Sequence, residues 1–67
     1  MKAQKKNLTA TVYTFQDTTI YTITGPETMT VYQKGDGELL EYIFAVDAKD
    51  ADKIDIEALH DNGYFEK

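Results

Sequence analysis

Polar and apolar residues alternate along four short stretches of this chain, residues 8–15, 19–24, 28–33 and 40–46. A period of two is the signature of a half-buried β-strand. The residue types agree: nine Thr fall between Thr9 and Thr30, mixed with Val, Tyr, Ile and Phe, and β-branched and aromatic side chains suit a pleated surface. Turn-forming residues separate the stretches at Gln16-Asp17, Gly25-Pro26-Glu27 and Lys34-Gly35-Asp36-Gly37. Pro26 cannot donate to a ladder, which suits a turn.

These turn lengths predict a register. Two residues at Gln16-Asp17 pair Val12 with Tyr21 and Ala10 with Ile23. Three residues at Gly25-Pro26-Glu27 pair Tyr21 with Val31, and a four-residue loop pairs Val31 with Leu40. Paired residues share a face. One face of a four-stranded meander would then collect Ala10, Val12, Tyr21, Ile23, Met29, Val31, Leu40, Tyr42, Phe44 and Val46. The other would show Tyr13, Phe15, Ile20, Tyr32, Leu39 and Ile43 among threonines.

After Asp47 the period changes. Ala48, Ala51, Ile54, Ala58 and Leu59 fall within an arc of about 140° on a helical wheel, the stripe a core-facing helix presents. Asn62-Gly63 reads as a stop, with Gly63 at C′ and Tyr64 at C″ of a Schellman motif. The favoured reading is one helix over residues 48–62 that covers the first face. Asp55 interrupts its stripe, and Ile56 points away from it. The alternative starts the helix at Asp55 as N-cap, with Ile54 and Leu59 as a hydrophobic staple. The expected fold is α+β: a four-stranded antiparallel β-meander with one C-terminal α-helix packed on one face. A flexible basic tail is expected over residues 1–7 and a single small domain over 8–67.

The residues Ala45-Val46-Asp47-Ala48, Ala51, Lys53 and Asp61-Asn62-Gly63 locally resemble the helix of protein G-type immunoglobulin-binding domains. That family places two strands before its helix and two after. Four strands before the helix make a different topology, so immunoglobulin binding is not carried over.

Composition narrows the function. The chain has no Ser, Cys, Arg or Trp and a single His, His60. Nucleophilic catalysis of the Ser–His or Cys–His type lacks its nucleophile, and bidentate recognition of phosphate by Arg is excluded. No catalytic residue, metal site or cofactor is expected, and the chain is read as non-enzymatic. The run Asp47, Asp50, Asp52, Asp55 lacks the glycine and the twelfth-position glutamate of a calcium loop. No continuous apolar run follows Lys2, Lys5 and Lys6, so a cytoplasmic protein is expected.

The net charge of −5 opposes direct binding of nucleic acid. It is unevenly spread, since residues 36–67 hold ten acids and three lysines. The first expectation is a protein-interaction domain, with a foreign protein or a second copy in a homodimer as partner. The candidate surface is Tyr13, Phe15, Ile20, Tyr32, Leu39 and Ile43, or an edge strand. The second is an acidic inhibitor of the kind some phages encode. It would imitate nucleic acid through Asp50, Asp52, Glu57 and Asp61 and bind a basic nucleic-acid enzyme.

Overall fold

The computed structural model describes residues 8–65, so the lysine-rich start falls outside the described residues. Four strands form one antiparallel sheet in the order β1-β2-β3-β4: β1 Thr9–Thr14, β2 Thr19–Thr24, β3 Thr28–Lys34 and β4 Leu40–Asp47. A 3-10 helix over Ala48–Lys53 and the short helix α1, Ile56–Asp61, follow. The fold is thus the α+β meander with a C-terminal helix that the alternation implies.

The first hairpin has the expected register, with Val12 opposite Tyr21 and Ala10 opposite Ile23. Its turn is closed by the Phe15 N–H donating to the Thr18 carbonyl. The second hairpin is shifted by one residue. Gly25 donates to the Thr28 carbonyl at 2.9 Å, which leaves Pro26-Glu27 as a two-residue turn. Tyr21 therefore pairs with Tyr32, and Thr22 with Val31. Because the side-chain period is two, a one-residue slip transfers a whole strand to the other face. Val31 and Met29 consequently share a face with Tyr13, Ile20 and Thr22, not with Tyr21 and Ile23.

The last hairpin departs further. Val31 pairs with Phe44 and Met29 with Val46. Between Val31 and Tyr32 the register shifts: Tyr32 meets Tyr42, and Ile43 is left as a β-bulge. Strict alternation would put Leu40, Tyr42, Phe44 and Val46 on one face. The bulge splits them, so that Phe44 and Val46 turn to the core with Ile43 while Tyr42 and Leu40 turn away.

The core is built from Ile20, Met29, Val31, Ile56 and Phe65, with Tyr13, Phe15, Ile43, Phe44, Val46, Ala51, Ile54 and Leu59 packed around them. For β1 and β2 the covered face is thus the one expected to lie open, whereas Met29, Val31, Phe44 and Val46 are on the core side as expected. Thr22 and Gln33 are also buried there, and Gln33 Nε2 donates to Thr18 Oγ1 at 3.0 Å. That bond lowers the cost of burying a side-chain amide.

The single helix over residues 48–62 is not formed, and the alternative start at Asp55 is correct. Ile54 and Asp55 adopt extended backbone angles. The Asp55 carboxylate accepts from the Ala58 N–H at 3.1 Å, capping α1. The physical reason is Asp55 itself. A continuous helix would turn this carboxylate toward the sheet, where an unpaired charge is costly. Breaking there leaves Asp55 exposed and rotates Ile56 inward, to 4% exposure. The local resemblance to an immunoglobulin-binding helix ends with this break.

The helix stop is as expected. Tyr64 donates to the Leu59 carbonyl and Gly63 to that of His60, both at 3.0 Å, with Gly63 at φ 77°. This is a Schellman motif.

The covering segment starts where the Ala48 N–H donates to the Glu27 carbonyl, at the Pro26-Glu27 end of the sheet. It finishes at the opposite end, where His60 Nε2 lies 2.7 Å from Asp17 Oδ1 and the imidazole stacks on Phe15 at 4.0 Å and 4°. It crosses the sheet diagonally from β4 to the β1–β2 turn.

Candidate interaction face

With the helical segment on one side, the other face of the sheet carries no covering element among the described residues. The register places Val12, Tyr21, Tyr32 and Tyr42 in one row across all four strands. A second row runs Ala10, Ile23, Thr30, Ala45. Tyr42 is 63% exposed and Val12 54%, whereas Tyr21, Ile23 and Tyr32 are half-buried by their neighbours. Tyr32 and Tyr42 meet edge to face, centroids 6.4 Å apart, the arrangement that ring quadrupoles favour. Leu40, 47% exposed, extends the patch beside Lys34.

Charge is nearly absent from this face. Among the described residues it carries Lys34 and Asp47, at opposite ends. Strand and residue spacings give the whole face, its threonines and two charges included, roughly 300–400 Å². Its apolar part is the Val12–Tyr21–Tyr32–Tyr42 row with Ala10, Ile23 and Leu40 beside it, and apolar patches on a monomer's surface are often functional.

The residues singled out from sequence divide unequally. Ile20 is completely buried, and Tyr13, Phe15 and Ile43 pack against the core, so these four do not form an open surface. Tyr32 lies on the open face. Leu39 is 70% exposed in the β3–β4 connection, away from either row. Val12, Tyr21, Ile23, Leu40 and Tyr42 were assigned to the core by the shifted register, and the structure turns them outward. The missing signal was the parity of the Pro26-Glu27 turn.

The acidic residues are also rearranged. Asp50 lies in the 3-10 helix, half-buried and 3.4 Å from Lys53 Nζ. Asp52 belongs to the same turn, and Glu57 and Asp61 to α1 beyond the break at Asp55. They do not line one helix edge.

Two other places gather polar side chains. An open depression of about 430 Å³ at the Asp17 end is lined by Asp17, Thr18, Thr19, Lys34, Gly35, Asp36 and Glu41. Its carboxylates do not converge into a set of three that would hold a metal ion, among the described residues. The His60–Asp17 pair has the geometry of a base and its orienting acid. However, the imidazole lies flat on Phe15, so the pair acts as a clasp between α1 and the first turn. No described helix is long and apolar enough to cross a membrane.

Comparison with protein-family models, with curated proteins and with solved structures returns no match.

Proposed function

We propose that this chain is a non-enzymatic protein-interaction domain of the cytoplasm that engages another protein through the open face of its sheet. The observation that carries this reading is the uncharged row Val12, Tyr21, Tyr32, Tyr42 on a chain that is 28% charged. Tyrosine is favoured in interface cores because it joins apolar area to a polar tip at small entropic cost. The side chains are also held before binding: Tyr32 is fixed edge-on to Tyr42, and Tyr21 and Ile23 are already half-buried. Preorganisation of this kind lowers the ordering cost of association.

The test is a comparison of the wild-type chain with Tyr42→Asp as baits in lysate of the source organism. The substituted residue is exposed enough that the fold should survive, with circular dichroism as the check. A protein retained by the wild type and lost with Tyr42→Asp, then shown to bind the purified domain at 1:1, supports the reading. Equal retention by both baits refutes it.

A further inference from the structure

The two edges of the sheet are built differently. β4, on one side, is interrupted by the Ile43 bulge and carries Glu41 and Asp47. Bulges and charges are the devices by which edge strands avoid pairing with other chains. β1, on the other side, has none of them. Thr9-Ala10-Thr11-Val12-Tyr13-Thr14 is free of charge, proline, glycine and bulge, and pairs regularly with β2 along its whole length. Five of its six residues are exposed, and among the described residues nothing pairs with its outer edge.

The direction of its backbone groups follows from the closing bond of the first turn. The Phe15 N–H points at Thr18, so by alternation the backbone groups of Tyr13, Thr11 and Thr9 also face β2. Those of Ala10, Val12 and Thr14 face outward. The side chains of this second set lie on the open face.

We infer that β1 pairs antiparallel with β1 of a second copy, about a two-fold axis through Thr11, to give a continuous eight-stranded sheet. A two-fold axis normal to the sheet keeps each face on its own side, so paired positions must have equal parity. Centring on Thr11 satisfies this. Ala10 and Val12 of one copy exchange backbone hydrogen bonds with Val12 and Ala10 of the other, Thr9 faces Tyr13, and Thr11 faces itself. Opposed threonines are a favourable cross-strand pair, and no like charges are brought together. Self-complementarity points to a second copy as the occupant: about this axis the uncharged strand meets its own sequence, and the outward backbone groups of Ala10 and Val12 are matched on both sides. The two tyrosine rows then lie on the same side of the joined sheet. This inference concerns the edge of the sheet and not its open face, so either can fail alone.

The chain contains no cysteine, which makes cross-linking a clean test. At the axis, Thr11 would form a non-hydrogen-bonded pair with Cα atoms about 4.5 Å apart, within reach of a disulfide. Under mild oxidation Thr11→Cys should convert to a covalent dimer at least tenfold faster than Ala45→Cys on the β4 edge or Val12→Cys. In light scattering the wild type should show twice its 7.6 kDa chain mass. Val12→Pro should show one chain mass with unchanged circular dichroism. Its N–H points outward, so proline there breaks no bond of the β1–β2 ladder. A wild-type monomer at every concentration overturns the inference. So does a Val12→Pro dimer, or cross-linking at Val12 or Ala45 as fast as at Thr11.

Discussion

Replacing Ile56 with alanine measures the placement of the covering segment most directly. Ile56 is 4% exposed and belongs to the central cluster with Ile20, Met29, Val31 and Phe65. Burying an isoleucine side chain contributes about 1.5–3 kcal/mol. Truncation to alanine loses most of this and leaves a cavity that the sheet behind it cannot collapse to fill, for a total of about 3 kcal/mol. A 67-residue chain has about 3–10 kcal/mol of stability, so the substitution removes a third or more of it. With a urea m-value of about 1 kcal/mol per molar, the midpoint should fall by about 3 M. Equilibrium denaturation followed by circular dichroism reads this directly, with Ile54→Ala alongside. Ile54 is only half-buried and should cost about 1–2 kcal/mol. A continuous helix over residues 48–62 predicts the reverse order, with Ile56 pointing to solvent and its truncation within about 0.5 kcal/mol of neutral. That reversed order would refute the break at Asp55 and the packing built on it.

Asp55→Ala should destabilise by about 1 kcal/mol, and Asp55→Asn by much less because the amide oxygen can still accept from Ala58; paired urea titrations decide it. Gly63→Ala meets no neighbouring atom, so its cost of about 1 kcal/mol arises from the left-handed backbone alone; Gly63→Asn should recover part of it, and equal stabilities would contradict this. In a double-mutant cycle, His60→Ala and Asp17→Asn should show a coupling of about 0.5–1 kcal/mol, modest because both side chains are partly solvated; additivity would mean that the clasp contributes nothing. Tyr42→Asp should leave the urea midpoint nearly unchanged, since it lies outside the core; a large loss would show that the open face is structural.

Alternation, turn residues and the Asn62-Gly63 stop sufficed to place four strands and a terminal helix, because each is a local effect. Facing was harder to read. Whether Gly25-Pro26-Glu27 makes a turn of two residues or three changes little in local energy, yet it decides which half of β3 is buried. The tertiary gain decides it: the two-residue turn lets Val31 and Met29 join Ile20 against Ile56 and Phe65. The break at Asp55 was legible from the cost of burying a carboxylate, a stronger effect than the alanine-rich periodicity beside it. Of the six residues proposed for contact, Tyr32 alone lies in the exposed aromatic row: the two-residue turn sets it opposite Tyr21, and the bulge sets Tyr42 opposite it.

The bulge at Ile43 has an evolutionary consequence. Phe44 pairs with Val31 and Tyr42 with Tyr32, so deletion of the single Ile43 codon would make β4 regular and leave Tyr42 and Leu40 on the open face. What would be lost is the second inward side chain, Ile43 beside Phe44, and the irregularity that blunts this edge of the sheet. A lineage could gain or lose that protection in a single mutational step, without moving the exposed aromatic row.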